Sequence, residues 1–399
     1  MQDIISEVYV NSNNLSLFEQ LLKRQIIKPW FKLVILNPRT ETDSDDISEY
    51  VLDWGLSATY QNGIRRTLSI TLSNADKHFI IHPFTGNLWH GVKFRLDVGI
   101  IYQRQAFKVA QGVFVLPSVD KNLVYSDDKI SLSLSDKFIM FENSMGGVTD
   151  LDFIIKNGTL MRDAVYSLVH YGEDENNPID IKPIIIDNKY YDTVIEYDIE
   201  KNSDTNFSEF LIEVAQIPSM EIYYDNYGNM TLSSGIDDLA NVVRPVMWTF
   251  KENDIEFLDG TYHYNFDKLV NKVRVVGGVF NGVIFDAEAV NSNPASLANT
   301  QINRVHQKNV SDDNIYSDRL AQDRADYELY TSMREFCTVS CNCTLLPHLD
   351  VNNIIIIDKP ELGIINEKFL INSLSMNFDG TAITMSFEAC KVNEMPFVS

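Results

Sequence analysis

Short runs in which apolar and polar residues alternate recur along the chain, and they constrain its fold more than any other feature. Leu68, Ile70 and Leu72 take every second position of one run, and residues 337–345 repeat the pattern. Successive side chains of a β-strand point to opposite faces, so a period of two predicts strands with one buried face. Because turn signals such as Asn62-Gly63 separate the runs, we expect a barrel or sandwich over residues 26–137.

Apolar residues at helical spacing mark two other segments. The spacing in residues 14–25 predicts an N-terminal helix. The spacing in residues 160–169 predicts helical structure at the start of the middle third of the chain. A second helix is expected there at residues 208–216, followed by a hairpin whose turn is Asp225-Asn226-Tyr227-Gly228. The middle third is therefore predicted to be an α/β module.

The β pattern returns from about Val246 and is interrupted by one longer helix. Ser317 is suited to cap its first turn, and Asp318 complements the helix dipole. The apolar stripe of this predicted interface helix consists of Leu320, Ala321, Ala325, Leu329 and Met333. The stripe must cover either a barrel flank or a partner subunit.

These patterns predict a mainly β protein with an α+β insert. At 399 residues the chain exceeds the usual size of one folding unit. We expect an N-terminal helical segment at 1–25, a first β-barrel domain at 26–145, a middle α/β module at 146–240, and a second β-barrel domain with one covering helix at 241–399.

The charge and hydropathy of the chain argue against binding to nucleic acid and against insertion into a membrane. The chain has 33 basic and 56 acidic residues, a net charge of -23, which argues against general nucleic-acid binding. Its start lacks the features of a secretion signal, and no run of about 18 apolar residues could span a bilayer. We expect no stable membrane anchor, and folding in a cytosol.

The cysteines and histidines give no convincing metal site. Cys337, Cys341 and Cys343 fall on the apolar face of their predicted strand, where a free thiol packs as a small hydrophobe. His78 and His82 would share a strand face and could join His90, but no metalloprotease spacing accompanies them. No metal ligand and no cofactor site is assigned.

The carboxylates leave two alternatives open. A glycosidase needs only two acids at the right separation, and the acidic segment Asp43-Ser44-Asp45-Asp46 could supply them, although a solvated turn is the plainer interpretation. Asp225 is better explained by turn chemistry than by calcium binding. The many Tyr and Phe residues would also suit carbohydrate binding. We assign no catalytic residue and expect that the protein is not an enzyme.

Several motifs, taken in order, resemble one family. They include NKVRVVGG at 271–278, RADYEL at 324–329, PHLDVNNIIII at 347–357, and LINSLSMNFDGTAITMSFEACKV near the end of the sequence. QGVFVLPSV at 111–119 and MEIYYDNYGNMTL at 220–232 agree. Together they resemble the baseplate hub or tail-tip proteins of Gram-positive phages and PBSX-like prophages.

This resemblance implies a homotrimer in which two tube-like β-barrel domains per subunit flank the small α/β module. Three copies would then present six similar faces. The implied partners are a tail tube or distal tail protein, a central spike or tip protein, and the tape measure protein. The implied place is the virion tail, at the baseplate or tail tip, after assembly in the host cytoplasm. The resemblance implies no cofactor and no specific nucleic-acid binding.

Overall fold

A computed structural model describes residues 6–24, 28–118, 128–149, 152–170, 179–188, 191–217, 220–234, 244–280, 282–302, 304–312, 315 and 317–396. The predicted mainly β fold is confirmed, because most regular elements are strands of antiparallel sheets. The predicted N-terminal helix is present but shorter, and its expected last residue, Gln25, lies outside the described residues.

The elements follow the alternating and helical patterns of the sequence. The first strands are β1 (Ser6–Tyr9), β2 (Lys28–Leu36), β3 (Asp43–Asp46), β4 (Val51–Thr59), β5 (Arg66–Ser73), β6 (Lys93–Tyr102), β7 (Gln105–Val115) and β8 (Lys129–Asp136). The middle strands are β9 (Phe153–Ile155), β10 (Ile185–Ile186), β11 (Ile199–Lys201), β12 (Met220–Tyr224) and β13 (Met230–Ser234). The later strands are β14 (Val246–Phe250), β15 (Phe257–Tyr264), β16 (Lys272–Phe280), β17 (Val283–Val290), β18 (Gln307–Asp312), β19 (Cys337–Cys343), β20 (Ile354–Lys359), β21 (Ile364–Phe378) and β22 (Ile383–Lys391). The α-helices of the described residues are α1 (Leu15–Leu22), α2 (Met161–Val169), α3 (Phe207–Gln216) and α4 (Asp318–Met333).

One 14-stranded sheet unites both β regions. Its main path runs β15-β19-β22-β21-β4-β5-β8-β7-β6-β2-β3, while β1 pairs with β7, and β14 and β20 extend from β21. The two regions meet at β4 and β21, which pair antiparallel from Trp54↔Phe378 to Thr59↔Ser373. One hydrophobic core lies under this sheet and includes residues of both regions. In the described strands the pairing does not close into a barrel, so barrel closure remains a prediction.

Both β regions use the same strand order. The first contains β6-β7-β8-β5-β4 and the second contains β20-β21-β22-β19-β15, and every neighbouring pair in both runs is antiparallel. In each unit the last three strands of the sequence form a meander. The two strands that precede them in the sequence lie beside the end of the meander in the sheet, and their order is reversed. The strand that pairs with the first strand of each run differs between the two regions. β2 is antiparallel to β6, whereas β14 is parallel to β20. The sheet is therefore built from two similar five-stranded units.

The middle module shares a second core with part of the second β region. The three-stranded sheet β17-β16-β18 is separate from the large sheet, and α4 packs against β16 and β17. Their buried residues join those of α2, α3, β12 and β13 in one cluster. The strands predicted near residues 272 and 282 thus exist, but they lie outside the large sheet. The domain boundaries drawn from the sequence remain predictions.

The N-terminal helix packs within its own chain. Phe18, Leu21 and Leu22 of α1 are buried in the core of the large sheet. The Phe18 ring meets the edge of His348, and Lys23 Nζ lies 5.0 Å from the centre of the Trp248 ring. The segment at the start of the chain therefore touches residues of the second β region.

Candidate functional site

Across seven strands the large sheet has one apolar face and one polar face. In β5, Leu68, Ile70 and Leu72 are buried, while Thr67 and Ser69 are exposed. The same alternation holds in β8, β4, β22 and β19 and in the second half of β21, and the exposed Asp259 and Thr261 extend the polar side onto β15. We call the outward-facing set the polar face; its members are Ser131, Ser133, Ser135, Thr67, Ser69, Thr71, Asp53, Gly55, Ser57, Thr59, Ser373, Ser375, Asn377, Thr384, Ser386, Glu388, Ser340, Asn342, Asp259 and Thr261.

Strand register aligns these side chains in rows across the join between the two β regions. One row runs Ser135, Thr67, Ser57, Ser375, Ser386, Asn342 and Asp259, each facing the next on the neighbouring strand. Within it the hydroxyls of Ser375 and Ser386 are 2.8 Å apart, and Asn342 Nδ2 donates to Asp259 Oδ1 at 2.7 Å. The row crosses seven strands without an apolar side chain.

The chemistry of the polar face is that of small hydroxyls and amides. Its charged members are Asp53, Asp259 and Glu388, and the same alternate positions of β8 continue at the margin of the face to the basic Lys129, which faces Ser73 of β5. No member is aromatic, so the face offers no ring on which a sugar could stack. Two open depressions of about 390 and 530 Å³ lie along it, and both are lined by residues of β4 and of β21. Such a surface is wettable and weakly acidic.

A buried polar junction holds the end of the sheet against the middle module. Arg65, in the turn after β4, pairs with Glu221 of β12 at 2.9 Å, and both side chains are almost fully buried. Arg66 donates to the Tyr224 carbonyl at 2.7 Å and pairs with Asp350 of the second β region at 2.6 Å. One pair of adjacent arginines thus connects the first β region to both other parts of the chain.

Asp136 fixes the backbone at this junction. Its carboxylate accepts the backbone N–H groups of Arg65, Arg66 and Phe138 at 2.7 to 3.0 Å. Burial nevertheless raises the pKa of Asp136 to about 6, because desolvation of the charge outweighs these hydrogen bonds. The carboxylate of Asp136 therefore has a structural role.

Lys137, next in sequence, completes the attachment of the middle module. Its buried Nζ contacts Glu41 at 2.9 Å and Asp180 at 2.6 Å, and Asp180 also accepts the Tyr224 hydroxyl at 2.6 Å. The turn at Gly228 lies so close that an added Cβ would be 2.7 Å from Val113, and its φ of +76° also favours glycine. These contacts orient the module relative to the polar face.

The predicted interface helix is confirmed as a helix, and the structure places its stripe inside the subunit. Ser317 Oγ accepts the Leu320 N–H, as expected for the cap. All five residues of the stripe, Leu320, Ala321, Ala325, Leu329 and Met333, are at most 4% exposed. They pack in the core shared with the middle module. Of the two roles left open by the sequence, packing within the chain accounts for this burial.

The other candidate residues do not converge on one site. His78 pairs with Asp45, His82 Nδ1 accepts from its own turn, and His90 contacts the Pro117 carbonyl. In the part of the chain that the structure describes, no three His, Cys, Asp or Glu side chains could together hold a metal ion. The four cysteines are free and buried, which confirms their predicted packing role.

Two turn predictions have different outcomes. Asp225 Oδ1 accepts the N–H groups of Tyr227 and Asn229, which confirms its turn chemistry. The interpretation of Asp43–Asp46 as a solvated turn is wrong, because these residues form β3 beside β2. Asp43 hydrogen-bonds Arg95, which lowers the pKa of that carboxyl. Ion pairing with neighbouring strands allows this acidic segment to extend as a strand.

Among the described residues, no helix is both long enough and apolar enough to cross a bilayer. The polar face itself was not identified from the sequence. Its signal was present in the Ser and Thr residues between the apolar ones, as in LSITLS and ISLSLS. Alternation within a strand shows that one face of that strand is exposed to solvent. It cannot show that the solvent-exposed faces of seven strands form one continuous surface.

Comparisons with known proteins identify the fold. The family model for a domain of unknown function (DUF5048) matches residues 295–395. No curated protein matches the sequence.

Three solved structures are similar over most of this chain. A tail protein from Neisseria meningitidis MC58 has a TM-score of 0.61 at 10% identity, covering 92% of this chain and 98% of that one. The 43 kDa tail protein of prophage MuSo2 from Shewanella oneidensis has a TM-score of 0.58 at 14% identity, covering 92% and 100%. Prophage tail protein gp18 from Listeria monocytogenes EGD-e has a TM-score of 0.53 at 8% identity, covering 90% and 94%. The chain therefore has the fold of phage and prophage tail proteins.

Proposed function

We propose that this chain is a structural subunit of a phage-type tail, a baseplate hub or tail-tip protein whose polar face lines an axial channel. The observation that carries the proposal is the continuity of the polar face across the β4–β21 join. A surface that merely faces solvent would not need to match register between two regions from opposite ends of the chain. A channel wall needs that continuity.

The chemistry of the polar face suits the passage of a polyanion. DNA binds proteins chiefly through Lys and Arg contacts to phosphates, whereas the rows of the polar face have neither residue and Lys129 lies only at their margin. Its hydroxyls and amides keep the wall hydrated, and its three acids repel phosphate. A chain with a net charge of -23 gives no general attraction to compensate. Nucleic acid would therefore move along the face without being retained.

The repeated strand order supports a ring of three copies. Two similar five-stranded units per chain give six similar units in a homotrimer, which matches a sixfold tail tube on one side and a threefold spike or tip on the other. Closure of each unit into a tube-like barrel is part of this proposal. The partners are then the tail tube or distal tail protein, the central spike or tip protein, and the tape measure protein.

The proposed location is the virion tail, at the baseplate or tip, with assembly in the host cytoplasm. The motif resemblance favours Gram-positive phages and PBSX-like prophages, while similar folds occur in tail proteins from Neisseria, Shewanella and Listeria. Catalysis forms no part of the proposal, because the buried acids described at the junction are occupied by backbone and ion-pair contacts.

The alternative is a carbohydrate-binding receptor or peptidoglycan hydrolase of the tail tip. Sugar-binding surfaces present aromatic rings, and the polar face presents none. Dye release from labelled peptidoglycan, and binding of the isolated chain to wall polysaccharide, distinguish these functions from the structural one. Turnover that is lost on substitution of a single carboxylate would favour the hydrolase.

Three arginines on one row of the polar face test the channel function. We expect Ser57→Arg, Ser375→Arg and Ser386→Arg together to leave particle yield unchanged but to slow DNA release, because the new charges bind passing phosphates. The matched control places Arg at Gln307, Asn309 and Ser311, alternate exposed positions of β18 in a different sheet. Release is measured by dye uptake of ejected DNA.

Electron cryomicroscopy of the tail end of particles that carry the chain tests the proposal directly, because it shows where the chain lies relative to the tail axis. We expect three copies around the axis with the polar face inward. A chain located away from the axis, or a polar face turned outward, would refute the proposal.

A further inference from the structure

The most deeply buried lysine of the described residues lies between two carboxylates. Lys137 is 0% exposed, whereas the other buried lysines retain 4 to 7%. Its Nζ lies 2.6 Å from Asp180 Oδ1 and 2.9 Å from Glu41 Oε1, and both acidic side chains are 1% exposed. Taking such charges out of water is costly, and their mutual attraction often does not offset the loss of hydration. A reaction that removes two of these charges is therefore favoured at this place.

The surroundings activate both partners for such a reaction. Asp180 Oδ1 accepts the backbone N–H of Ile181 at 2.7 Å, and Oδ2 accepts the Tyr224 hydroxyl at 2.6 Å. Donors at both oxygens stabilise the negative charge that develops on them when a nucleophile attacks Cγ. Burial lowers the pKa of Lys137, because desolvation disfavours the ammonium form. The neutral amine therefore forms more readily here than in water.

We propose that Lys137 Nζ and Asp180 Cγ condense spontaneously to an isopeptide bond, with Glu41 as the group that carries a proton between them. Both oxygens of Glu41 lie within 3.2 Å of Nζ. One proton moves from the ammonium of Lys137 to Asp180 Oδ2, which leaves a neutral amine and a neutral carboxylic acid. The amine attacks Cγ and gives a second proton to Glu41. Glu41 returns this proton to Oδ2, the Cγ–Oδ2 bond breaks, and one water molecule leaves.

The charge balance of the cluster fits this reaction. Lys93 Nζ pairs with Glu41 Oε1 at 2.5 Å, so two lysines face two acids. Condensation neutralises Lys137 and Asp180 together and leaves Lys93 beside Glu41, so no buried charge loses its partner. Groups fixed in contact also react as if their concentration were roughly 10⁵ to 10⁸ M, which promotes condensation without an external catalyst.

The bond joins the large sheet to the middle module. Lys137 directly follows β8, and Asp180 lies shortly before β10, which pairs with β13. The four cysteines of the chain are free, so no disulfide holds the module. A cross-link at this point constrains the unfolded chain as a disulfide does. The inference goes beyond the proposed function and does not depend on it, because the bond forms within one chain whatever its partners are.

Mass spectrometry of the purified, denatured full chain tests the bond. We expect a mass lower than that of the sequence by one water molecule, and a branched peptide that joins the segments of Lys137 and Asp180 after digestion. Asp180→Asn should form the same amide with loss of ammonia instead of water, because the side-chain nitrogen is then the leaving group. If the folded parent chain kept its full mass after prolonged incubation at neutral pH, the inference would be overturned and the proposed function would stand.

Two further variants assign the roles, after circular dichroism has shown that they fold. Lys137→Arg keeps a cation in the cluster but has no amine to react, so it should retain its full mass. Glu41→Gln removes the proton carrier and should slow condensation roughly 10²- to 10⁴-fold, measured as the dehydrated fraction against time. The matched control is Lys108→Arg, beside the buried Asp97, which should still lose one water. A water deficit that persists in Lys137→Arg, or condensation at the parent rate in Glu41→Gln, would contradict the proposal.

Discussion

At the residue scale, His348 shows how an unpaired polar group can be retained in a core. Its ring lies against Phe18 at 5.9 Å and against Trp248 at 5.3 Å, between α1 and the second β region. Neither ring nitrogen makes a hydrogen bond of good geometry, and the backbone of Met247 offers the ring only a weak polar contact. Burial lowers the pKa of His348 to about 4, because a charged imidazole cannot be solvated there.

This shift predicts a pH dependence of stability. The pKa is lowered from 6.5 in the unfolded chain, so the unfolded state binds more protons below that pH. The contribution of neutral His348 is complete above pH 6.5 and is lost as the pH falls toward 4. We expect His348→Phe to reduce the stability difference between pH 7.5 and 4.5 by about 2 to 3 kcal/mol. Urea unfolding at both pH values measures it.

His82→Phe is the control for that experiment, since His82 lies exposed in a loop and contacts its own turn. Its replacement should leave the pH dependence unchanged. If His348→Phe unfolded with the same pH dependence as the parent chain, the ring would have to be solvated, and its assigned place beneath α1 would be incorrect.

At the element scale, local patterns determine most boundaries, while long-range pairing remains hidden. The alternation of Leu68, Ile70 and Leu72 predicts β5, and Ser317 predicts the start of α4, because each signal depends on neighbours in sequence. The pairing of β4 with β21 brings together opposite ends of the chain and has no local signature. The apolar stripe of α4 likewise indicated burial without indicating that β16 and β17 would cover it.

The same limit applies to the candidate site. Serine and threonine between apolar residues predict a wet face for each strand, and that part could be anticipated. Their union into rows depends on register between strands, which follows from the bulges at Leu52 and Leu258 and from the join at Thr59 and Ser373. Only the three-dimensional arrangement reveals one surface.

The Arg65–Glu221 pair joins two elements, and its removal is expected to be strongly non-additive. Burial raises the pKa of Glu221 to about 8, so Arg65→Met leaves a buried carboxyl that must either stay charged without its partner or take up a proton, and we expect a loss of about 3 to 5 kcal/mol of unfolding free energy. The double variant Arg65→Met with Glu221→Leu removes both charges, so we expect it to recover much of this loss. Denaturant unfolding of the parent, both single variants and the double variant completes the cycle. Simple additivity would show that the pair is not coupled.

At the scale of the whole molecule, the large negative charge opposes the association of copies that the proposed homotrimer requires. Each chain carries a net charge of -23, so association brings like charges together. The proposed homotrimer needs a contact between chains, and we expect this contact to consist mainly of uncharged groups. Its attraction is therefore short-ranged and insensitive to salt, whereas the repulsion is long-ranged.

The balance predicts that salt promotes assembly. The screening length falls from roughly 30 Å at 0.01 M to about 8 Å at 0.15 M, so repulsion between copies weakens while the short-range attraction persists. We expect the associated fraction in sedimentation experiments to rise over this range, and to rise equally in sodium chloride and sodium bromide. A contact built on ion pairs would weaken with added salt instead. Association that declines with ionic strength would therefore show that ion pairs between charged surfaces hold the copies together.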